Sequence, residues 1–511
     1  MNYADLFRVT LPETALEVAA LVVLVVDLAF LRKAALEVRA GVAALLGVVG
    51  CGVALWTMLL QDPGGLRYPG GEMLLAVGGS AAVAQVGILA LTVLTLFLLV
   101  ESDFTRHVGE FVAVVLMAAT GGLLIAAAQD LLAIFIGLEL LSLGLYILTA
   151  FAKKSGKSAE AAIKYYLFGG MSAAFLLFGF SYLYGIAGST NLHRIMLAMD
   201  GSSGSNAAPL MYVALVMIAA GLGFKVAAAP FHLWAPDTYE GAPAPAAAFI
   251  ASVSKVASFA LLISIGTAAV HVFGNAHGSQ LATAAVGTPL KHVGFGIPWT
   301  MTLTLLAVAS MVLGNLAALA QTSVRRLLAY SAIAHAGYVL LGLGYFSYSS
   351  RSAEAILYYV LTYGLTTVGA FGVVAVVERA TGSDRMEAFL GLHKRNPMLA
   401  VVLLVLFLSL AGIPPLVGFW AKFNLFAAVL GVGAGATPFA LVALAVAMSA
   451  VSLYYYLQVL KRAYVMQAEV ETPIEVHPVT QVVLLSIAAG VVLLGCFPAL
   501  LQGWIAGFFP A

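Results

Sequence analysis

Apolar runs long enough to cross a membrane are the feature that most constrains this chain. A helix needs about 20 apolar residues to span roughly 30 Å of hydrocarbon, and it satisfies its own backbone hydrogen bonds where water is absent. We predict an all-α polytopic membrane protein with about fourteen transmembrane helices. Their approximate positions are residues 12–31, 40–60, 79–100, 110–128, 131–151, 162–186, 209–230, 245–270, 299–321, 327–347, 353–377, 397–431, 437–460 and 479–503.

Composition supports this class and excludes others. Hydrophobic residues make up 62% of the 511 residues and charged residues only 9%, which is too little polar surface for a water-soluble globule. A formal net charge of +1 provides no field for binding nucleic acid or another polyanion. No β-strand is predicted, and no glycine-rich phosphate loop is found. Nucleotide hydrolysis and hydride transfer within this chain are therefore not expected.

The two cysteines, Cys51 and Cys496, each lie within a long apolar run and form no Cys-x-x-Cys pair. Neither an iron-sulfur cluster nor a structural zinc site is expected from this chain alone. Both are interpreted as small buried hydrophobic residues.

Basic residues between the predicted spans indicate the orientation, because short cytoplasmic loops retain Lys and Arg. Five lie on the side of the N-terminus, and fifteen lie on the opposite side. We therefore expect a multi-pass membrane protein with both termini on the non-cytoplasmic side. The first span meets Arg32 and Lys33 directly and has no convincing cleavage site, so we expect a retained helix.

Ionisable residues inside the spans are the main functional signal. A charge at bilayer depth costs about 2.5 to 3.5 kcal/mol or more, so each one retained there is a functional hypothesis. The set comprises Glu139, Lys164, Lys225, Lys255, His335 and Lys422.

Structural explanations compete for some of these residues. Lys164 is shallow enough to extend its amine to the interface, and His335 could be a hydrogen-bonding residue between packed helices. Asp27, near Arg32 and Lys33, is interpreted as part of an interfacial ion pair.

Prolines give an independent argument. Pro230, five residues after Lys225, has no amide hydrogen and so frees the carbonyl of Val226. Pro414 and Pro415 likewise free the carbonyls of Leu410 and Ala411. We therefore predict broken helices at the seventh and twelfth spans, with unpaired carbonyls near lysines. Such breaks recur at the ion sites of transporters.

Lysines suit proton transfer better than metal binding, because an ammonium repels cations. A lysine amine can take up or release a proton as burial and a nearby carboxylate change. We expect Glu139 to pair with Lys225, Lys255 to be an intermediate carrier and Lys422 to be the last carrier.

Two parts of the chain resemble each other weakly. The fifth span, GLELLSLGLYILTAF, and the tenth, SAIAHAGYVLLGLGYF, each place an ionisable residue before a glycine, a tyrosine and an aliphatic run. The seventh and twelfth spans each combine a proline break with a lysine. Five helices separate them, so we expect two inverted five-helix repeats. The predicted divisions are residues 1–108, 109–272, 273–465 and 466–511.

The runs KVAAAPFHLWAPDTYEGAPAPAAAF, AGIPPLVGFWAKF and EAAIKYYLFGG carry a resemblance to a known family. They resemble the antiporter-like membrane subunits of respiratory complex I, and within that family the subunit N group of bacterial NADH-quinone oxidoreductase. The related L and M groups usually read PDAHE where this chain has PDTYE. The likeness covers nearly the whole chain.

The resemblance implies a fourteen-helix proton-pumping subunit whose path matches Glu139, Lys164, Lys225, Lys255 and Lys422. It implies that this chain carries no cofactor, since flavin, iron-sulfur clusters and quinone belong to other subunits. Its partners would be the other membrane-arm subunits, including neighbouring antiporter-like ones. The redox reaction would then drive proton movement from a distance.

Two other functions remain open. A subunit of a multisubunit cation/proton antiporter would use the same fold without NADH oxidation, although the sequence TYEG after Pro236 and Asp237 disfavours it. A purely structural membrane scaffold would keep proton translocation when the buried charges are replaced.

Overall fold

The structure is a computed structural model. It describes residues 3–61, 65–67, 72–101, 104–201, 208–281, 296–346, 350–431, 436–467 and 472–509. Lys291, one of the basic residues counted for orientation, lies outside these ranges.

Helices dominate the described residues, as the apolar runs predict. They are α1 (Tyr3–Val9), α2 (Leu11–Val25), α3 (Leu36–Leu59), α4 (Gly79–Leu98), α5 (Val108–Ala127), α6 (Leu131–Thr149), α7 (Gly156–Ala187), α8 (Leu192–Gly201), α9 (Ala208–Lys225), α10 (Trp234–Gly241), α11 (Ala244–Leu281), α12 (Gly296–Leu319), α13 (Val324–Gly344), α14 (Ser350–Thr381), α15 (Leu392–Arg395), α16 (Pro397–Ala411), α17 (Val417–Gly431), α18 (Ala436–Tyr464), α19 (Pro478–Cys496) and α20 (Pro498–Ala506).

The predicted class, an all-α polytopic membrane protein, is confirmed. Among the described residues, 11 helices are long and apolar enough to cross a membrane. Three shorter apolar helices, Pro209–Lys225, Pro397–Ala411 and Val417–Gly431, are the pieces next to the predicted breaks. The count of fourteen crossings and the inverted relation of the two repeats stay predictions.

Both predicted helix breaks are present. The helix α9 ends at Lys225, and α10 begins only at Trp234. The predicted seventh span, residues 209–230, therefore stops five residues early, before Pro230. The second break separates α16 from α17, around the pair Pro414 and Pro415. Proline has no amide hydrogen to continue a helical ladder, which accounts for the position of both breaks.

Three connecting segments differ from the prediction. Short antiparallel strands, β1 (Leu66–Arg67) and β2 (Met73–Leu75), pair with each other where no strand was expected. The expected irregular connector at 186–208 contains α8, and α11 continues to Leu281 into the expected connector at 271–298. Neither connector has the apolar length that identified the spans, so the hydropathy pattern gave no signal for them.

Two smaller interpretations are only partly confirmed. Asp27 does form an ion pair, but it is buried and its bidentate partner, at 2.8 and 2.7 Å, is Arg39 rather than Arg32 or Lys33. Cys51 is buried as expected, but Cys496 is exposed. Local sequence does not show which face of a helix the neighbouring helices cover.

Burial separates central from peripheral helices. In an apolar stretch of 18 residues within α11, 100% of the residues are buried, and in the corresponding stretch of α13 the buried share is 94%. By contrast, only 22% of such a stretch in α18 is buried, and α18 exposes large apolar side chains such as Phe439 and Val446. Apolar exposure on this scale suits contact with lipid or with another membrane subunit. Lys255 on α11 and His335 on α13 therefore lie on the most enclosed helices.

Candidate functional site

Glu139 and Lys225 lie together at the first break. Glu139 projects from α6 and Lys225 is the last residue of α9, and their charged atoms are 4.0 Å apart. The Lys225 amine is nearer to Ser142, to whose hydroxyl it donates a hydrogen bond of 2.6 Å. The Lys225 side chain is 8% exposed, whereas that of Glu139 is 30% exposed. The predicted pair is thus formed, with a serine hydroxyl as its third member.

Ser142 was not predicted from the sequence, although its spacing from Glu139 could have indicated it. Residues three apart lie on the same face of a helix, so Ser142 follows Glu139 on the same side of α6. Its hydroxyl also donates to the carbonyl of Leu138. A polar residue one turn after a carboxylate within a span is well placed to contact the partner of that carboxylate.

Lys255 occupies the space next to the first break. Its amine donates to the carbonyl of Val226 at 2.9 Å and to that of Ala332 at 3.4 Å. Val226 is the residue whose carbonyl Pro230 was predicted to free. The lysine that binds this carbonyl is Lys255 on α11, not Lys225. Within the described residues, no carboxylate lies within ion-pair distance of this amine.

A second helix, α12, stabilises the backbone at the same break. The amide of Ala229, just before Pro230, donates to the hydroxyl of Ser310 on α12 at 2.8 Å. Ser310 is fully buried. An unpaired buried amide is costly, so this bond stabilises the irregular backbone. The sequence offered no sign of this contact, because the two residues are far apart in the chain.

Lys422 binds main-chain carbonyls at the second break. Its amine donates to the carbonyls of Leu410 and Ala411, at 3.0 and 2.8 Å, and to the hydroxyl of Ser449 at 2.7 Å. These are the two carbonyls that the double proline was predicted to free. The amine also lies 5.4 Å from the ring centre of Tyr338. At 6% exposure, Lys422 is buried.

Gly412 makes this arrangement possible. Gly412 follows Ala411, the last residue of α16, and caps the helix. Its φ angle is +89°, a backbone conformation that residues with a side chain rarely adopt. A Cβ atom at this position would lie 2.9 Å from Cδ of Lys422. Glycine is therefore required both for the turn and for the close approach of the lysine.

His335 lies between the two lysine sites on α13. Its Nδ1 is hydrogen bonded to the hydroxyl of Tyr359 on α14 at 2.7 Å, and the residue is 5% exposed. The ring centre of Tyr363 is 4.8 Å from that of the imidazole. Lys255 and Lys422 are the charged groups whose fields reach this imidazole.

Lys164 lies apart from the buried series. Its amine binds Glu160 and Asp237, each at 2.7 Å, and its side chain is 41% exposed. The structure does not bring it into contact with Glu139 or Lys225. Because its partners are carboxylates near the end of the helix, the interfacial explanation describes its position better than a buried one.

A charged cluster surrounds this end of the molecule, formed by Lys157, Lys164, Asp237, Glu240 and Arg326. One nitrogen of Arg326, on α13, donates to Asp237 at 2.7 Å and to Glu240 at 3.0 Å. Lys157 binds Glu240 at 3.0 Å. The cluster joins α7, α10 and α13. Sequence reasoning used Asp237 and Glu240 only as a family marker and missed this role.

Both carboxylates of the charged cluster are held ionised. Partial burial alone would raise the pKa of Asp237, but its hydrogen bonds with Lys164 and Arg326 outweigh burial and lower the pKa below its ordinary value. The pKa of Glu240 is lowered in the same way, since burial is outweighed by its bonds with Arg326 and Lys157. Stable charges suit a fixed electrostatic contact rather than a proton carrier.

Metal ligands do not converge in the part of the chain that the structure describes. No group of three or more His, Cys, Asp or Glu side chains lies close enough to hold an ion. The buried cations of the site are lysines, whose hydrogen-bond partners are carbonyls and hydroxyls, and Lys225 also has the carboxylate of Glu139 at 4.0 Å.

Comparison with known proteins places the chain in a family. A family model described as NADH:quinone oxidoreductase/Mrp antiporter, TM, matches residues 128–288 and again residues 279–452. NADH-quinone oxidoreductase subunit N 2 of Acidobacterium capsulatum is 48% identical over 99% of both chains. Two successive matches of one family model agree with an internal duplication.

Solved structures agree. A chain of respiratory complex I from Thermus thermophilus with bound aureothin is 33% identical, with a TM-score of 0.75 over 96% of this chain and 98% of that one. A chain of the Mrp complex from Dietzia sp. DQ12-45-1b has a TM-score of 0.79 at 21% identity, covering 98% of this chain and 51% of that one. The second likeness shows the fold alone. The chain therefore belongs to the NADH:quinone oxidoreductase/Mrp antiporter family of membrane subunits, and within it to the subunit N group of NADH-quinone oxidoreductase.

Proposed function

We propose that this chain moves protons across the bacterial plasma membrane as subunit N of NADH-quinone oxidoreductase, and that distant quinone reduction drives the movement. The complex is a translocase, and this chain carries out no redox chemistry itself. The observation that carries the proposal is the binding of two buried lysine amines, those of Lys255 and Lys422, to main-chain carbonyls at helix breaks.

Carbonyl partners suit a group that gains and loses a proton. A buried carboxylate would hold an ammonium in its charged form, whereas neutral dipoles stabilise the charge less strongly. The amine can then exist in either protonation state without leaving an unpaired buried carboxylate. Backbone dipoles at broken helices serve ion sites in other transporters.

The proposed path begins at Glu139 and Lys225 and continues through Lys255 and His335 to Lys422. The carboxylate of Glu139 and the hydroxyl of Ser142 both reach the Lys225 amine, so a shift of either would change its readiness to give up a proton. Lys164 belongs to the proposal as a residue of the charged cluster, whose fixed charges would lie where the proton path meets the aqueous side.

The wider assignment follows from the family. Flavin, iron-sulfur clusters and quinone would be bound by other subunits, and the partners of this chain would be the remaining membrane-arm subunits. Residues 109–272 and 273–465 would form the two inverted repeats, between residues 1–108 and 466–511. Both termini would lie on the non-cytoplasmic side.

A cation/proton antiporter subunit is the second candidate, favoured by the fold that the chain shares with the Mrp complex of Dietzia. Purifying the tagged chain from its native membrane separates the two functions. Co-purification of flavin- and iron-sulfur-containing proteins is expected for the oxidoreductase. Their absence, with sodium-dependent proton exchange, would support the antiporter.

The direct test replaces Lys225 or Lys422 with alanine. We expect the complex to assemble and NADH-driven proton pumping to fall at least about tenfold, because a proton carrier is lost. Turnover is followed by NADH oxidation with quinone, and pumping by a pH-sensitive dye in inverted vesicles. Lys461→Ala is the control, since Lys461 is exposed at the end of α18.

Assembly must be measured in the same membranes, by the amount of intact complex on a native gel. Normal turnover and pumping in both Lys225→Ala and Lys422→Ala would reject their assigned roles. A loss of assembled complex, with unchanged pumping for each NADH oxidised, would instead support the structural scaffold.

A further inference from the structure

The imidazole of His335 is held at only one of its two nitrogens. Nδ1 is hydrogen bonded to the hydroxyl of Tyr359, whereas Nε2 is buried and has no hydrogen-bond partner among the described residues. A neutral imidazole has one nitrogen that donates and one that accepts. The partner of Nδ1 therefore determines what Nε2 is able to do.

A small cavity adjoins this histidine. Its lining surface is mostly apolar but includes residues that carry polar groups, namely His335, Tyr359, Thr362, Thr366 and Ser409. Its size suits about one water molecule at most, and the polar atoms of these residues would be the partners of such a water. The cavity is also lined by Leu410, whose carbonyl binds the amine of Lys422. It therefore lies between the imidazole and the second helix break.

Two different contacts fix the histidine. Its ring is packed by Tyr363, at 4.8 Å, and by Tyr338, at 5.7 Å between ring centres. These aromatic contacts set the orientation of the ring plane. Only the Tyr359 hydroxyl, among the described contacts of His335, bonds to a ring nitrogen. The ring of Tyr359 also packs against the imidazole, at 5.8 Å between ring centres, so its hydroxyl adds a hydrogen bond to a packing contact that phenylalanine would keep.

We propose that Tyr359 is a positioning residue, which selects the nitrogen of His335 that carries the proton and so determines whether Nε2 donates or accepts toward the cavity. When the tyrosine hydroxyl donates to Nδ1, the proton of the neutral ring lies on Nε2. When the hydroxyl accepts from Nδ1, Nε2 is free to accept. This inference rests on the proposed function and assigns a means of control to its central step.

Adjacent tyrosines on α14 provide a matched test. Tyr358 and Tyr359 are both buried, at 1% and 2% exposure, but the Tyr358 hydroxyl has no hydrogen-bond partner among the described residues. Tyr359→Phe keeps the ring and removes one hydroxyl. We expect pumping for each NADH oxidised to fall about two- to tenfold, as for the loss of one useful hydrogen bond, and the pH profile of turnover to change. Tyr358→Phe should change neither.

A double substitution distinguishes positioning from packing. If Tyr359 acts through His335, adding Tyr359→Phe to His335→Gln should lower pumping no further than His335→Gln alone. Equal losses from Tyr359→Phe and Tyr358→Phe would overturn the inference. An unchanged fold-loss for Tyr359→Phe in the His335→Gln background would do the same.

A second variant covers the case in which Tyr359→Phe does not assemble. Site-specific incorporation of 3,5-difluorotyrosine at 359 keeps the hydroxyl and makes it a stronger proton donor. We expect the pH profile of turnover to shift with the analogue at 359 and not at 358, and an unshifted profile at 359 would reject the inference.

If Lys225→Ala and Lys422→Ala lose pumping while Tyr359 variants do not, only this inference fails. If those lysine variants keep pumping, the proposed path fails.

Discussion

At the scale of single residues, the site depends on how a buried ammonium is stabilised without a carboxylate. Moving a charge into an apolar interior is costly unless polar groups surround it. Lys422 has two carbonyls and one hydroxyl as partners, and Lys255 has two carbonyls. The carbonyls of Val226, Leu410 and Ala411 are available because helices end at the breaks, whereas that of Ala332 lies within α13. Irregular backbone thus provides the solvation that water would otherwise give.

Replacing Lys255 with arginine should abolish proton pumping while the complex still assembles. A guanidinium keeps the positive charge but does not release its proton in the physiological range. Pumping in inverted vesicles is the measurement, and assembly is followed on a native gel. Lys461→Arg, at an exposed position, should pump normally. Full pumping in Lys255→Arg would mean that Lys255 is a fixed counter-charge.

At the scale of elements, the short helix α10 is attached to both halves of the chain. It follows the first break and carries Asp237 and Glu240. Arg326, on α13, binds both carboxylates from one side, while Lys164 and Lys157, on α7, bind them from the other. The position of the broken helix is therefore set by charges from two separate helices. Any movement of α10 must exchange or stretch these ion pairs.

Asp237→Asn should destabilise the chain at neutral pH and do so less in acid. Because the pKa of Asp237 is lowered in the folded protein, its ion pairs contribute fully above the ordinary carboxylate pKa and are lost as the pH falls through the lowered value. We expect an apparent unfolding midpoint about 1 to 3 °C lower at pH 7, with a smaller difference near pH 3. Heating the purified complex and measuring the chain that remains soluble tests this.

Glu387→Gln is the matched control, because Glu387 is exposed and has no side-chain ion pair among the described residues. Its midpoint should equal that of the wild type at both pH values. A difference between Asp237→Asn and wild type that stays constant from pH 7 to pH 3 would contradict the electrostatic explanation.

At the scale of the whole molecule, contacts between the two proposed repeats converge on the first break. The amine of Lys255 binds carbonyls on both sides, at Val226 and Ala332, and Ser310 binds the amide of Ala229. A change in the packing of one half would therefore alter the backbone that holds a lysine of the other. Such a shared contact is a physical route by which a distant event could reach the proton path.

The orientation of the chain in the membrane can be tested by labelling introduced cysteines. In a chain with Cys51 and Cys496 changed to alanine, a cysteine replacing Lys154 should react with a membrane-impermeant maleimide only in inverted vesicles. A cysteine replacing Asp5 should react only in right-side-out vesicles. Both positions are exposed. The reason is the excess of basic residues in the loops on the side of Lys154. Labelling with the opposite pattern would reverse the proposed topology.

Local sequence was enough to predict the membrane class, the presence of the two helix breaks and the freed carbonyls of Val226, Leu410 and Ala411. These follow from hydropathy and from the missing amide of proline, which are local properties of the chain. Tertiary structure alone decided that Lys255 binds Val226, that Ser142 lies beside Lys225, and that Tyr359 bonds to His335. The helices that carry these partners are distant in sequence, and local sequence does not indicate which helix faces pack against each other.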